Sequence, residues 1–193
     1  MAGPRLLLLN SLAPIQKIMQ KLGNPEPRIS QKLVTEVMAL IQVGDILISR
    51  EEWKLTNPFV PGFWGHAAIY YGSQLVVEAV APEVRTDFLE RWLYQKDSVA
   101  VLRPLGPEIR EGDPELAARI AYAEKGKGYD YGFVPTAKAF YCSELITYAY
   151  GMATGDAFNF YPRKTLGVKT VLPQDFYDAV KDGKFKLICE EIN

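Results

Sequence analysis

The sequence contains little histidine and little cysteine. Its 193 residues include one His, His66, and two Cys, Cys142 and Cys189. Two cysteines cannot form the disulfide framework of a small secreted domain. One His and two Cys, without a paired ligand motif, also fall short of the three or four ligands of a zinc site. We therefore expect neither a disulfide scaffold nor a metal or organic cofactor.

The sequence also lacks an excess of charge and a long hydrophobic run. Lys and Arg total 22 and Asp and Glu total 23, whereas a nucleic-acid-binding domain usually carries a basic excess. The apolar run at 6–9 is shorter than the roughly 7–15 residues of a secretory signal core. No stretch is long enough to cross a membrane. These absences predict a cytoplasmic protein that binds no nucleic acid.

The first 42 residues have helical periodicity. Apolar residues at helical spacing over 1–22 predict an amphipathic helix that packs on the domain, with contact at a membrane surface as the alternative. The link at 23–30 is rich in helix breakers, and Ser30 can cap a second helix over 31–41.

The period of the apolar residues changes after residue 42. Short strands are predicted at 45–49, 66–71, 75–80, 83–86, 98–102 and 184–189. Helices are predicted to begin at Asp87, Asp113, Cys142 and Pro173, with stops at Gly126 and Gly151. Sequential strands with few crossovers indicate an α+β fold, in which helices pack on a mainly antiparallel central sheet.

Cys142 is the candidate nucleophile because it stands at the predicted start of a helix, in Tyr141-Cys142-Ser143-Glu144. Backbone N–H groups and the helix dipole at that position favour a thiolate, and the same N–H groups can stabilise an oxyanion. The alternative is that Cys142 is an inert buried residue. We expect that inert role for Cys189, which lies in an apolar strand.

His66 is the one imidazole available to deprotonate a cysteine, and Glu78 lies in the strand predicted to pair with it. A three-residue loop, 71–73, would place His66 directly opposite Glu78, where the carboxylate could orient the imidazole. A two-residue turn would instead set Ala67 opposite Glu78, which would then point away. The remaining alternatives are a core histidine and a carboxylate on a solvated face.

Four aromatic residues complete the candidate site. Tyr129, shortly before the cysteine helix, could donate its hydroxyl toward the reacting carbonyl, although tyrosine is also a common packing residue. Phe63, Trp64 and Tyr141 are candidate substrate contacts. Aromatic residues in a loop also commonly anchor that loop to the core, and we favour this role for the pair before His66.

The motifs resemble those of a known family. They are Gly44-Asp45-Ile46-Leu47, Gly65-His66-Ala67-Ala68-Ile69-Tyr70, Val77-Glu78-Ala79, Tyr129-Asp130 and Tyr141-Cys142-Ser143-Glu144-Leu145. In this order they are similar to the motifs of the YiiX/YaeF group. The members of this group are circularly permuted papain-like amidases of the NlpC type. The resemblance covers about residues 43–150, with Pro173-Gln174-Asp175-Phe176 also similar.

The resemblance implies a permuted papain-like fold and a cysteine amidase or peptidase. It assigns Cys142 as nucleophile, His66 as general base and Glu78 as the residue that orients the imidazole, while Tyr129 matches a tyrosine near the nucleophile. Residues 1–193 would form one domain, with 1–42 as a helical extension and 43–193 as the catalytic core.

The substrate expected from this resemblance is an amide: a small molecule, a peptide or a fragment derived from the cell wall. Two alternatives stay open. The related lecithin:retinol acyltransferase-like enzymes use the same arrangement on lipid esters. The aromatic loop, residues 50–65 with Phe59, Phe63 and Trp64, could serve a lipid together with the N-terminal helix. A catalytically inactive binding module is the other.

Overall fold

The computed structural model describes residues 28–52, 61–132, 138–158, 163–165 and 168–193. The helix predicted over 1–22 and part of the aromatic loop lie outside these ranges. The helices are α1 (Gln31–Leu40), α2 (Leu89–Leu93), α3 (Asp113–Ala123), α4 (Cys142–Thr154) and α5 (Pro173–Asp178). The strands are β1 (Ile46–Arg50), β2 (His66–Gly72), β3 (Leu75–Val80), β4 (Glu83–Phe88), β5 (Ser98–Pro104), β6 (Gly128–Tyr129), β7 (Ala139–Phe140), β8 (Arg163–Thr165), β9 (Val168–Thr170) and β10 (Phe185–Glu191).

Eight of these strands form one sheet in the order β10-β5-β1-β2-β3-β4-β6-β7. Its neighbouring strands pair antiparallel except for β6 and β7, which are parallel. Strands β8 and β9 form a separate antiparallel pair. The predicted α+β class with a mainly antiparallel central sheet is therefore confirmed.

Two hydrophobic clusters cover the sheet. The first cluster includes Ala67, Ile69, Val77 and Ala79 from the sheet, Ala117 and Ala121 from α3, and Leu145, Ile146 and Ala149 from α4. The second cluster includes Leu47, Ala68, Val76, Val99 and Val101 from the sheet, Leu33, Val34 and Val37 from α1, and Leu89, Trp92 and Leu93 from α2. Successive strand residues alternate between the clusters because side chains along a strand point to opposite faces.

Helix α1 belongs to this packed structure. The Ser30 hydroxyl accepts a hydrogen bond from the Leu33 N–H at 3.2 Å, as expected of the predicted cap. The helix then buries Leu33, Val34 and Val37 against the second cluster. At least this part of the predicted extension, 1–42, packs on the same sheet as the core.

Some predicted boundaries are wrong. Helix α4 continues through Gly151 and ends at Thr154. The next residue, Gly155, has a φ of +61°, the left-handed conformation that terminates helices. Gly151 remains helical, so it provides no stop. At α3 the predicted start at Asp113 is correct. Gly112 precedes the helix, and the Asp113 carboxylate accepts a hydrogen bond from the Arg110 N–H at 2.8 Å.

The helix predicted to begin at Asp87 starts later. Strand β4 continues through Asp87 to Phe88 and remains paired with β3, so α2 begins at Leu89. This short helix packs Leu89, Trp92 and Leu93 into the second cluster.

Candidate active site

The hairpin of β2 and β3 determines which side chains meet at the site. Tyr70 pairs with Val76 and Gly72 pairs with Leu75, so that Tyr71 is an additional residue on β2. Such an extra residue is a β-bulge, which changes the register on one side of the hairpin. Neither of the two registers expected from the sequence is therefore correct.

The bulge nevertheless leaves His66 and Glu78 on the same face of the sheet. Continuing the Ile69–Val77 register places Glu78 across from Ala68, so Glu78 is a diagonal neighbour of His66. This register differs by two residues from direct opposition, and a shift of two preserves the face to which each side chain points. Diagonal neighbours remain within reach of long side chains.

His66 and Glu78 form a buried pair. The distance between His66 Nε2 and Glu78 Oε2 is 2.7 Å, and the two residues are 5% and 2% exposed. The interpretation of Glu78 as a carboxylate on a solvated face is therefore wrong. Because a carboxylate only accepts hydrogen bonds, the contact places the proton on Nε2 of the neutral ring, and Nδ1 is then the nitrogen that can accept a proton.

Two further residues hold the Glu78 carboxylate. The Trp92 indole N–H donates to Oε2 at 2.8 Å, while Arg85 Nε and Nη2 each lie 2.9 Å from Oε1. Arg85 stands directly opposite Glu78 on β4. Sequence reasoning missed both residues. The strand predicted at 83–86 could have indicated Arg85 as a partner of Glu78 on the neighbouring strand. No local pattern connects Trp92 with Glu78.

These contacts determine the ionisation of Glu78. Burial by itself raises the pKa of this carboxyl group. The hydrogen bond and charge of His66, together with the charges of Lys96 and Arg85, outweigh burial and hold the pKa well below its usual range. Glu78 is therefore a carboxylate over the whole pH range in which a cysteine hydrolase would work.

Cys142 is the first residue of α4 and is 7% exposed. The preceding Tyr141 N–H donates to the Glu144 carboxylate at 3.3 Å, so the glutamate side chain closes the first turn of the helix. The sequence-based placement of Cys142 at a helix start is correct. Its pairing with His66 stays a prediction.

Tyr129 lies near Cys142 because β6 and β7 bring them together. Tyr129 pairs with Phe140, two residues before Cys142. Burial raises the pKa of Tyr129 well above 10.0, and a negative charge at Cys142 would raise it further, as would charges at Tyr131, Asp130 and Tyr141. The Tyr129 hydroxyl consequently keeps its proton and can act as a hydrogen-bond donor.

The three aromatic candidates for substrate contact differ in exposure. Trp64 is 1% exposed and packs against Tyr177, with ring centroids 5.4 Å apart. Tyr141 is 2% exposed, and its hydroxyl accepts a hydrogen bond from Thr170 Oγ1 at 2.7 Å. Burial favours the anchoring role for Trp64 and a packing role for Tyr141. Substrate contact stays a prediction for Phe63, which is partly buried at the edge of the first cluster.

Within the described ranges, no group of three or more His, Cys, Asp or Glu side chains is arranged to hold a metal ion. In the same part of the chain, no helix is both long and apolar enough to cross a membrane.

Comparison with known proteins decides the family. Residues 40–187 match the family described as permuted papain-like amidase enzymes, YaeF/YiiX. The chain belongs to this family. The match includes His66, Glu78, Tyr129 and Cys142, and it identifies the protein as a cysteine hydrolase of the amidase or peptidase type.

A solved structure shares the fold. The crystal structure of metalloprotein YiiX from Escherichia coli O157:H7 is 20% identical in sequence, with a TM-score of 0.66, and the similarity covers 79% of this chain and 98% of that chain. At this identity the likeness supports the fold alone. No curated protein matches the chain.

Proposed function

We propose that the protein hydrolyses an amide bond through an acyl-enzyme on Cys142, with His66 as general base and Glu78 as the residue that orients His66. The observation that carries this proposal is the buried contact of 2.7 Å between His66 Nε2 and Glu78 Oε2. It fixes the ring and its tautomer, so that Nδ1 is the nitrogen that exchanges protons with the thiol.

The reaction has two stages. In the first, the Cys142 thiol proton moves to His66 Nδ1 and the sulfur forms a bond to the carbonyl carbon of the substrate. The carbon–nitrogen bond then breaks, and the amine leaves with the proton from His66. In the second stage, His66 takes a proton from water as the oxygen bonds to the thioester carbon. The carbon–sulfur bond then breaks, the acid leaves as the second product, and the sulfur of Cys142 takes the proton back from His66.

Two groups would stabilise the oxyanion that forms in each stage. The first turn of an α-helix presents backbone N–H groups at the positive end of the helix dipole, and Cys142 begins α4. The Tyr129 hydroxyl, which keeps its proton, is a second donor near the sulfur. Both act on the charge that develops at the carbonyl oxygen.

Family membership supports an amide as the substrate class. Within that class we place the substrate among small-molecule, peptide and cell-wall-derived amides. An anilide and an ester with the same acyl group separate this proposal from the lipid-ester alternative, because the two probes differ only in the leaving group.

The experiment is to mix the protein with a series of N-acyl p-nitroanilides and the matching p-nitrophenyl esters, quench early, and measure the intact mass. We expect an adduct equal to the acyl group on Cys142 with both kinds of probe, absent from Cys142→Ala and retained in Cys189→Ala. Acylation by the esters but by no anilide would favour the lipid-ester alternative. Turnover that survives Cys142→Ala would refute the mechanism.

A further inference from the structure

Trp92 approaches the proposed catalytic pair from α2. Its indole N–H donates to Glu78 Oε2 at 2.8 Å, the same oxygen that lies 2.7 Å from His66 Nε2. Trp92 is fully buried in the second cluster. The N–H donor therefore fixes the position of the one oxygen on which the orientation of His66 depends.

A buried cation lies over the same indole. Lys96 Nζ is 4.6 Å from the centroid of the Trp92 ring and 2.5 Å from Glu51 Oε1. Lys96 and Glu51 are each 5% exposed. A cation over the face of an indole is attracted by the ring and makes its N–H a stronger donor.

The Lys96–Glu51 pair is costly if its only role is stability. Removing two charges from water commonly offsets their mutual attraction, so apolar residues of similar volume would stabilise the fold at least as well. The charged groups around Trp92 and Glu78 come from several elements: Glu51 after β1, His66 on β2, Arg85 on β4 and Lys96 after α2. With His66 neutral, the two carboxylates, Glu51 and Glu78, balance the two permanent cations.

We propose that Trp92 is a positioning residue for the amidase reaction, which fixes Glu78 through its indole N–H, and that the Lys96–Glu51 pair holds and polarises the indole. The inference rests on the proposed function. In this proposal α2 orients the catalytic pair as well as packing on the sheet. Loss of the N–H donor would allow the Glu78 carboxylate to rotate, and the His66 ring would then lose its fixed orientation toward Cys142.

The first test measures alkylation of Cys142 by iodoacetamide against pH in a Cys189→Ala background, which leaves one thiol. Trp92→Phe removes a hydrogen bond to a charged group. At pH values below the pKa of an ordinary thiol, about 8.5, we therefore expect this variant to be alkylated about tenfold more slowly than wild type. Its pH profile should move toward that of His66→Ala. The matched control is Tyr150→Phe, which also removes one buried donor, the 2.6 Å bond to the Gly44 carbonyl. We expect the control to lower thermal stability and to keep the wild-type profile.

The outcomes separate the two proposals. If wild type and His66→Ala share one profile, Cys142 and His66 do not cooperate and the proposed function fails. If those two differ while Trp92→Phe equals wild type, the positioning role of Trp92 is refuted and the proposed function stands. A shift in Tyr150→Phe as large as that in Trp92→Phe would mean that the effect is a general loss of packing.

A second measurement uses the unaltered protein, in case Trp92→Phe does not fold. The chain has three Trp, so ¹⁵N-labelled protein gives three indole N–H resonances, and Trp53→Phe and Trp64→Phe identify that of Trp92 by elimination. We expect the Trp92 resonance to move with pH at the midpoint of Cys142 alkylation. A Trp92 resonance that does not move there would overturn the inference.

The contribution of the ion pair is tested with the double variant Glu51→Gln/Lys96→Met, which leaves no unpaired charge. Loss of the cation over the ring should slow alkylation about threefold, less than Trp92→Phe. A double variant with the wild-type profile and the wild-type Trp92 resonance would remove Lys96 and Glu51 from the proposal.

Discussion

The two cysteines of the chain lie in different surroundings. Cys142 and Cys189 are almost equally buried, at 7% and 8% exposure. Cys189 lies on β10 among second-cluster residues, where burial, followed by the charges of Glu36 and Asp45, raises its pKa to about 12. A thiol with this pKa stays protonated near neutral pH, which supports the inert role expected of Cys189.

Cys142 lies instead at the start of α4, two residues after Phe140, which pairs with Tyr129. A helix start offers N–H donors and a favourable dipole to an anion, whereas a strand offers neither. The difference between the two thiols is therefore one of neighbours and backbone geometry, and exposure does not distinguish them.

The largest expected difference between the two cysteines is their effect on turnover. Cys142→Ala should lower kcat/KM on any anilide that the protein hydrolyses by about 10⁶-fold, because the nucleophile is removed. Cys189→Ala should change it by less than about twofold, since a small buried hydrophobe is replaced. Steady-state kinetics with both variants checks this, and equal losses would abolish the distinction between the two thiols.

The next largest effect concerns the base. His66→Ala should reduce kcat by about 10⁴-fold, the upper range for general acid–base catalysis. It should also make Cys142 titrate like an ordinary thiol in the alkylation assay, at ~8.5. An unchanged alkylation profile would show that Cys142 does not depend on the only imidazole in the chain.

Glu78→Gln tests the residue proposed to orient the base. The amide has the shape of the carboxylate but no charge, so the imidazolium that forms during the reaction loses its partner. We expect kcat to fall by about 10³-fold with little change in KM. A rise in KM at constant kcat would instead assign Glu78 to substrate binding.

Tyr129→Phe should have a smaller effect. Loss of one hydroxyl donor to the developing oxyanion should lower kcat about 10²-fold. The matched control is Tyr177→Phe, whose hydroxyl donates to Glu190 on the surface. If both variants keep full activity, Tyr129 is a packing residue.

The smallest effect is on acid stability. The folded-state pKa of Glu78 lies below the unfolded value of about 4.3, so the carboxylate stabilises the fold above that pH, and this contribution is lost as pH falls through the folded pKa. The free energy of unfolding of wild type should therefore fall more steeply with acid than that of Glu78→Gln. Urea denaturation from neutral pH down to the acid limit checks this, and parallel curves would contradict it.

Much of the fold could be predicted from the sequence because its signals are local. The Ser30 cap, the period-two strands and the breaker glycines each act within a few residues. The Gly151 stop failed for a related reason: a glycine ends a helix only in the left-handed conformation, and here Gly155 adopts it.

The sequence by itself determined which residues can perform the chemistry. A single imidazole leaves His66 as the one histidine that can serve as base, and the pattern around Cys142 predicts a helix start. The tertiary structure decided how these residues are held. The bulge at Tyr71 turned the expected opposition of His66 and Glu78 into a diagonal contact, and the packing of α2 brought Trp92 to the same carboxylate. Strand register and helix packing depend on contacts between distant residues, so no local pattern specifies them.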